Sequence, residues 1–180
     1  LTGLPDLVEL PTDRPRTAKA SGRGERLGFE IPAPVAQRLE ERAAELGATP
    51  FMLVHSGLAV LLARLTAESD IAIGTPIAGR GQPEIESLIG MFVNTLTLRT
   101  EVDGGTSFAD LVASAKTTDL AAYANADVPF ETVVEAVDPA RSDAFAPFTQ
   151  VWLTFDQSAL PELAGADLAA GEIGGLRVEP

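Results

Sequence analysis

Phe92-Val93-Asn94-Thr95-Leu96-Thr97-Leu98-Arg99-Thr100-Glu101-Val102 is the stretch on which the fold class turns. Phe92, Leu96, Leu98 and Val102 occupy even positions, while Thr95, Thr97, Arg99 and Glu101 occupy odd ones. Side chains alternate across a strand, so this pattern predicts a strand with one apolar face. Asn94 falls on the apolar side. A buried amide without partners costs about 1–3 kcal/mol for each unmet group, so Asn94 needs them. Two readings stay open: the amide satisfies nearby backbone, or it lines a cleft and holds substrate carbonyls.

Upstream, Asp70 to Ile77 reads as a second strand running into Gly74-Thr75-Pro76-Ile77-Ala78-Gly79-Arg80. A loop with Gly81 and Pro83 and a short helix near Ile85 to Ile89 connect the two strands. Before them, Pro50 to about Thr66 is apolar nearly all round and has Thr49 as its cap, which predicts a buried helix. Val35, Leu39, Ala43 and Leu46 give the preceding helix one inner face, opened by Pro34 and stopped by Gly47. Arg38–Glu41 and Arg42–Glu45 are spaced to pair on its wet side. Leu27-Gly28-Phe29-Glu30-Ile31 reads as a further short strand.

Downstream, Asp103-Gly104-Gly105 is a turn signal, and Thr106 or Ser107 caps a helix with Phe108, Leu111, Val112 and Ala115 inward. Pro129 opens another helix, whose Phe130, Val133, Val134 and Val137 share a face, and Asp138-Pro139 ends it. Gln150 to Asp156 alternates through Val151, Leu153 and Phe155 like a half-buried strand. From Ser158 the chain is rich in Ala, Gly and acids and reads as loop. Strands alternating with helices predict an α/β class, with an open sheet flanked by helices.

Composition narrows the function. The net charge of −13 disfavours nucleic acid and anionic membranes as partners. The absence of cysteine excludes disulfides and thiolate metal sites and fits a reducing, cytoplasmic setting. The longest apolar stretch, Phe51 to Leu65, is interrupted by His55, Ser56, Gly57 and Arg64, so no transmembrane span is expected. The chain opens at Leu1 with no basic-then-apolar leader, which reads as a fragment of a larger protein. Residues 1–26, with prolines at 5, 11 and 15, are expected to run extended as a strap or linker. Arg14, Arg16, Lys19, Arg23 and Arg26 fall within them. Residues 27–180 then form the packed lobe.

Catalytic groups are scarce. His55 is the single histidine. Adjacent Ser56 points about 100° away from it on a helix, so the two do not form a nucleophile–base pair. No nucleophile elbow, phosphate-binding loop or dinucleotide fingerprint occurs. The carboxylates are scattered, and one histidine with surface acids makes a poor metal site. Asp127-Val128-Pro129-Phe130-Glu131 reads as a helix start, with an acid before it and an aromatic anchor. Arg141-Ser142 ahead of Pro147-Phe148 reads as loop.

Taken in order, these segments resemble the condensation domains of nonribosomal peptide synthetases. Ile89-Gly90-Met91-Phe92-Val93-Asn94-Thr95-Leu96, ending at Arg99, resembles the IGxFVNT…R motif. Asn125-Ala126-Asp127-Val128-Pro129-Phe130-Glu131 is similar to (H/N)QDxPFE, with Ala126 in place of Gln. Arg141-Ser142 through Pro147-Phe148 is similar to the late RxxxxxPL motif, with Phe148 in place of Leu. Leu10-Pro11-Thr12-Asp13-Arg14-Pro15 and the segment from Gly74 to Arg80 also fit the family. Five matches in this order, across Leu10 to Phe148, are specific.

The resemblance implies one lobe of a two-lobed, chloramphenicol-acetyltransferase-like fold, with residues 27–180 as a C-terminal lobe incomplete at its end and residues 1–26 as an inter-lobe strap or linker. It implies formation of an amide between a carrier-bound aminoacyl or peptidyl thioester and a carrier-bound amine. The HHxxxDG motif of the family is not in this sequence, so no catalytic residue is expected here. Arg80, Gly90, Phe92, Asn94, Thr95, Asp127, Pro129, Phe130, Glu131, Arg141 and Ser142 are the expected channel or motif positions. No directly bound cofactor or metal is implied, because substrates ride on phosphopantetheine. Expected partners are the N-terminal lobe, upstream and downstream carrier proteins and an adjacent adenylation domain. Two other readings remain: a noncatalytic platform that recruits proteins, and an epimerisation or cyclisation domain of the same fold.

Overall fold

The computed structural model describes all residues except 6, 16–21, 82, 86, 141, 156–170, 174–175 and 179–180. Its centre is an antiparallel pair, β1 (Asp70–Ile77) and β2 (Asn94–Glu101), in register from Asp70 opposite Glu101 to Ile77 opposite Asn94. β1 also takes a parallel bridge on its other edge, where Gly74 N–H donates to Val151 O and Leu153 N–H donates to Gly74 O. The strand expected over Gln150–Asp156 is therefore reduced, among the described residues, to one bridge at Trp152, while Val151 and Leu153 still pack on the core. With neighbours on both edges, β1 is buried from Ile71 to Thr75. Burying each isoleucine here contributes about 1.5–3 kcal/mol.

Helices cover this sheet. α1 (Ala33–Glu45) packs on α2 (Pro50–Thr66), and α2 packs on β1 and on α3 (Phe108–Ala124), which lies against β2. α4 (Phe130–Val137) touches the start of the sheet and buries none of its residues completely. One core cluster joins Ala59 and Leu62 of α2 to Ile71 and Ile73, and a second joins Ala43, Leu53 and Val112. The caps follow from the sequence. Thr49 accepts the Met52 N–H, and Ser107 rather than Thr106 accepts the Asp110 N–H.

Several expectations change. Leu27 to Ile31 takes no regular structure and pairs with no strand among the described residues, and Leu27 and Phe29 are 89% and 83% exposed. An alternating pattern supplies the face of a strand, but not the neighbour that its N–H and C=O groups need. The helix placed near Ile85–Ile89 is a single 3-10 turn, Pro83–Ile85. Arg42 pairs with Glu45 at 2.7 Å, but Arg38 donates to the Pro34 carbonyl and Glu41 accepts from Gln37 instead. Phe108 is exposed, unlike Leu111, Val112 and Ala115 behind it. Part of the tail read as loop forms a hairpin, β3 (Gly171–Ile173) with β4 (Leu176–Val178); 156–170 lie outside the described residues.

At the other end, Val8 is buried with its N–H donated to Gln150, and Leu10 packs on the first core cluster. Val8 and Leu10 of the N-terminal stretch thus lie against the core of the rest of the chain. Among the described residues no single helix is long and apolar enough to cross a membrane.

Candidate functional site

The end of the β1–β2 ribbon, where Ile77 faces Asn94, gathers most of the singled-out residues. Asn94 Nδ2 donates to the carbonyls of Ala126 and Val128, each at 2.8 Å. Its Oδ1 accepts the backbone N–H of Thr95 at 2.8 Å and of Phe130 at 3.1 Å. A carboxamide has two N–H donors and two acceptor positions, and all four are used. Of the two readings left open, this geometry is the backbone clamp, and it leaves no position on the amide for a substrate carbonyl. The clamp also explains a local oddity. α4 begins after Pro129, which has no side-chain cap of its own, and Asn94 satisfies an orphan N–H of its first turn from another element.

Asn94 joins Gly79, Met91, Phe92, Val93, Ala126, Asp127, Pro129 and Glu131 around a cleft of about 280 Å³. The Asp127 and Glu131 carboxylates are exposed at its edge. Arg80 lies behind the opposite wall. Its Nη1 donates to the carbonyls of Ile85 at 2.7 Å and Leu88 at 2.9 Å, and its guanidinium sits 4.3 Å over the Phe92 ring. A Cβ on Gly90 would meet that ring at 3.2 Å. Thr95 follows Asn94 on β2, opposite Pro76.

The late segment reaches the site through aromatic packing. Phe148 is buried, has a left-handed φ of 62°, rare for an aromatic residue, and meets Phe130 edge-to-face at 6.1 Å. Pro147, Ser142, Phe130 and Glu131 line an adjoining cleft of about 450 Å³, so Glu131 borders both. The Ser142 hydroxyl accepts the Ala144 N–H. Arg141 lies outside the described residues.

Arg99 faces away from this cleft. It forms a two-pronged bridge to Asp70 at 2.9 and 2.7 Å and donates to the Thr2 carbonyl. The hydrogen bond to Asp70 raises its pKa, so it fixes register as a permanent cation.

A polar constellation that periodicity did not single out lies between α2, α3 and β2. His55 Nδ1 lies 3.2 Å from Asp119 Oδ2, and His55 Nε2 lies 3.5 Å from the Thr100 hydroxyl. All three residues are buried. The Nδ1–H tautomer donates to the carboxylate and leaves Nε2 to accept from Thr100. Asp119 stands on the inner face of α3 with Val112 and Ala115, and an acid on that apolar stripe is the signal that marks it. Sealed from solvent, the trio has no access to a substrate. Ser56 is engaged elsewhere, donating to the Met52 carbonyl at 2.8 Å. Burial, then the neighbouring Asp119, raises the pKa of Tyr123 on the same helix.

Among the described residues no three His, Cys, Asp or Glu side chains come together to hold a metal. The cleft offers shape, two carboxylates and an apolar wall, with no imidazole or paired nucleophile facing it.

Comparison with known proteins gives a consistent picture. The family profile described as the condensation domain matches residues 1–170. The chain is 42% identical over 171 residues to phosphinothricin tripeptide synthetase PhsB of Streptomyces viridochromogenes, covering 95% of this chain and 14% of that protein. It is 45% identical over 168 residues to a dimodular nonribosomal peptide synthase of Bacillus subtilis, covering 93% of this chain and 7% of that protein. Among solved structures, a four-domain nonribosomal peptide synthetase bound to AMP and glycine superposes with a TM-score of 0.85 at 28% identity, over 88% of this chain and 12% of that one. The X-domain from teicoplanin biosynthesis superposes with a TM-score of 0.79 at 31% identity, over 84% of this chain and 34% of that one.

Proposed function

The chain belongs to the condensation-domain family of nonribosomal peptide synthetases, and from that membership we propose that it is the C-terminal lobe of a peptide-bond-forming domain. In the reaction, the amine of a carrier-bound acceptor attacks the carbonyl carbon of a carrier-bound aminoacyl or peptidyl thioester. A C–N bond forms, the C–S bond breaks, the donor's phosphopantetheine thiol leaves, and the amine loses a proton. This lobe supplies a channel wall and no catalytic histidine. The base belongs to an HHxxxDG motif on an N-terminal lobe that faces it. Upstream and downstream carrier proteins and an adenylation domain complete the working set, in the cytoplasm. No cofactor is bound directly by this lobe.

The observation that carries this reading is the Asn94 clamp. It draws the Ile89–Arg99 segment and the Asn125–Glu131 segment together around one cleft, which is lined by the Asp127 and Glu131 carboxylates but by no histidine. Two motifs held together without an imidazole fit a wall that works opposite a catalytic partner. The test loads donor and acceptor carriers and follows the dipeptidyl thioester by mass spectrometry, using the synthetase that contains this lobe. Product that disappears when the HHxxxDG histidines are replaced supports the reading; product that persists overturns it.

A second reading is a recruitment platform. The teicoplanin X-domain resembles this chain at 31% identity and has been solved in complex with OxyB. A synthetase that forms no amide but binds a partner enzyme through this domain would favour that reading.

A further inference from the structure

We propose that Arg80 is a positioning residue that holds Ser87–Phe92, the closing end of the loop between β1 and β2, as one wall of the Asn94 cleft; the inference rests on the condensation function proposed above. The loop leaves β1 and returns to β2, and its two ends meet at Gly79 and Phe92. A Cβ on Gly79 would lie 1.8 Å from the Phe92 carbonyl oxygen, and Gly79 has a φ of 64°. This neck is closed by direct backbone contact, with no room for a side chain.

Beyond the neck, apolar burial does not hold the loop. Leu88, Ile89, Met91 and Val93 are all exposed. Arg80 does the holding instead. One guanidinium gathers the carbonyls of Ile85, Leu88 and, at a longer 3.4 Å, Gly90, all pointing inward from the turn. The same cation covers one face of Phe92, while the backbone at Gly90 closes on its ring. Phe92, Met91 and Gly79 then form the cleft wall opposite Asp127, Pro129 and Glu131. A planar fork of donors with a flat cationic face suits this combination, and a lysine ammonium cannot reproduce it. Arg80 does not line the cleft, so its effect runs through Phe92 and the loop.

The test compares Arg80→Ala, Arg80→Lys and the wild type in two ways. Amide hydrogen exchange on the 180-residue chain reads the loop between Ser87 and Phe92 against the α2 and α3 helices as internal standards. Single-turnover amide formation, with kcat and KM for the carrier-bound acceptor, is read in the synthetase that contains this lobe. Arg80→Ala is expected to speed loop exchange and to slow amide formation each by about 10-fold, with helix exchange unchanged. Arg80→Lys should recover less than half of the loss, and millimolar methylguanidinium should restore Arg80→Ala in both readouts. Faster loop exchange with unchanged kcat and KM would overturn the positioning role and leave Arg80 a stabiliser of the loop alone. Unchanged exchange would overturn the holding role itself. A wild-type synthetase that makes no amide would sink the condensation function separately, and methylguanidinium-reversible exchange would then decide the loop's dependence on Arg80.

Discussion

The Oδ1 of Asn94 accepts the backbone N–H of Phe130 at 3.1 Å, so a side chain at the first position of a strand caps a helix that begins 36 residues later. With its Nδ2 bonds to Ala126 and Val128, that one amide fixes where the Asp127–Glu131 carboxylates stand relative to Phe92.

Replacing Asn94 by Ala leaves four backbone groups to find water or go unpaired. The site is half-buried, so the expected loss is about 2–3 kcal/mol, read as a lower denaturant midpoint at unchanged slope. Asn94→Asp keeps the acceptor to Phe130 and loses both donors, and it should fall between Ala and wild type. A loss below about 0.5 kcal/mol for Asn94→Ala would show that the clamp contributes little.

Gly79→Ala places a methyl group against the Phe92 carbonyl in a left-handed conformation, and about 3 kcal/mol of destabilisation is expected. Gly81→Ala, two residues on, meets nothing within 4 Å and serves as the control, with a change within about 0.5 kcal/mol. Thermal unfolding of the two variants, run side by side, checks the contrast.

His55 and Asp119 form a buried pair, so removing one partner strands the other. Asp119→Leu is expected to cost about 3–5 kcal/mol, and His55→Leu combined with it should recover part of that loss. Additive losses in the double-mutant cycle would mean that the two side chains do not interact.

Tyr123 ties stability to alkaline pH. Burial and Asp119 raise its pKa in the folded chain above the ordinary 10.0, so folding holds the phenol protonated. Between the unfolded and folded values the unfolded chain binds fewer protons, and stability falls as pH rises through that window above 10. Urea titrations across this range should show the fall in wild type and a shallower one in Tyr123→Phe; identical curves would remove Tyr123 as the cause.

Local rules made much of this fold legible in the sequence. Thr49 and Ser107 mark helix starts because capping is decided within a few residues, and Pro129 marks a third because its fixed φ suits the entry to a helix. β1 spans Asp70–Ile77, the bounds read from the sequence. What was not legible depends on residues far apart in the chain. Leu27–Ile31 has a strand's pattern but lacks a strand beside it. Asn94 was visibly an amide in need of partners, yet its partners lie more than 30 residues away, where periodicity does not reach. Asp119 stood on an apolar stripe, but only the packing of α2 on α3 pairs it with His55. The motif positions were named by family resemblance, and the convergence of Phe92, Asn94, Asp127, Pro129 and Glu131 on one cleft is a fact of tertiary structure.

The measurement that tests the account most directly is amide formation from loaded donor and acceptor carriers, by the 180-residue chain alone and by the synthetase that contains it. The account predicts dipeptidyl thioester from the synthetase and none from the isolated chain, whose cleft holds carboxylates and a saturated amide but no histidine. Turnover by the isolated chain would contradict it.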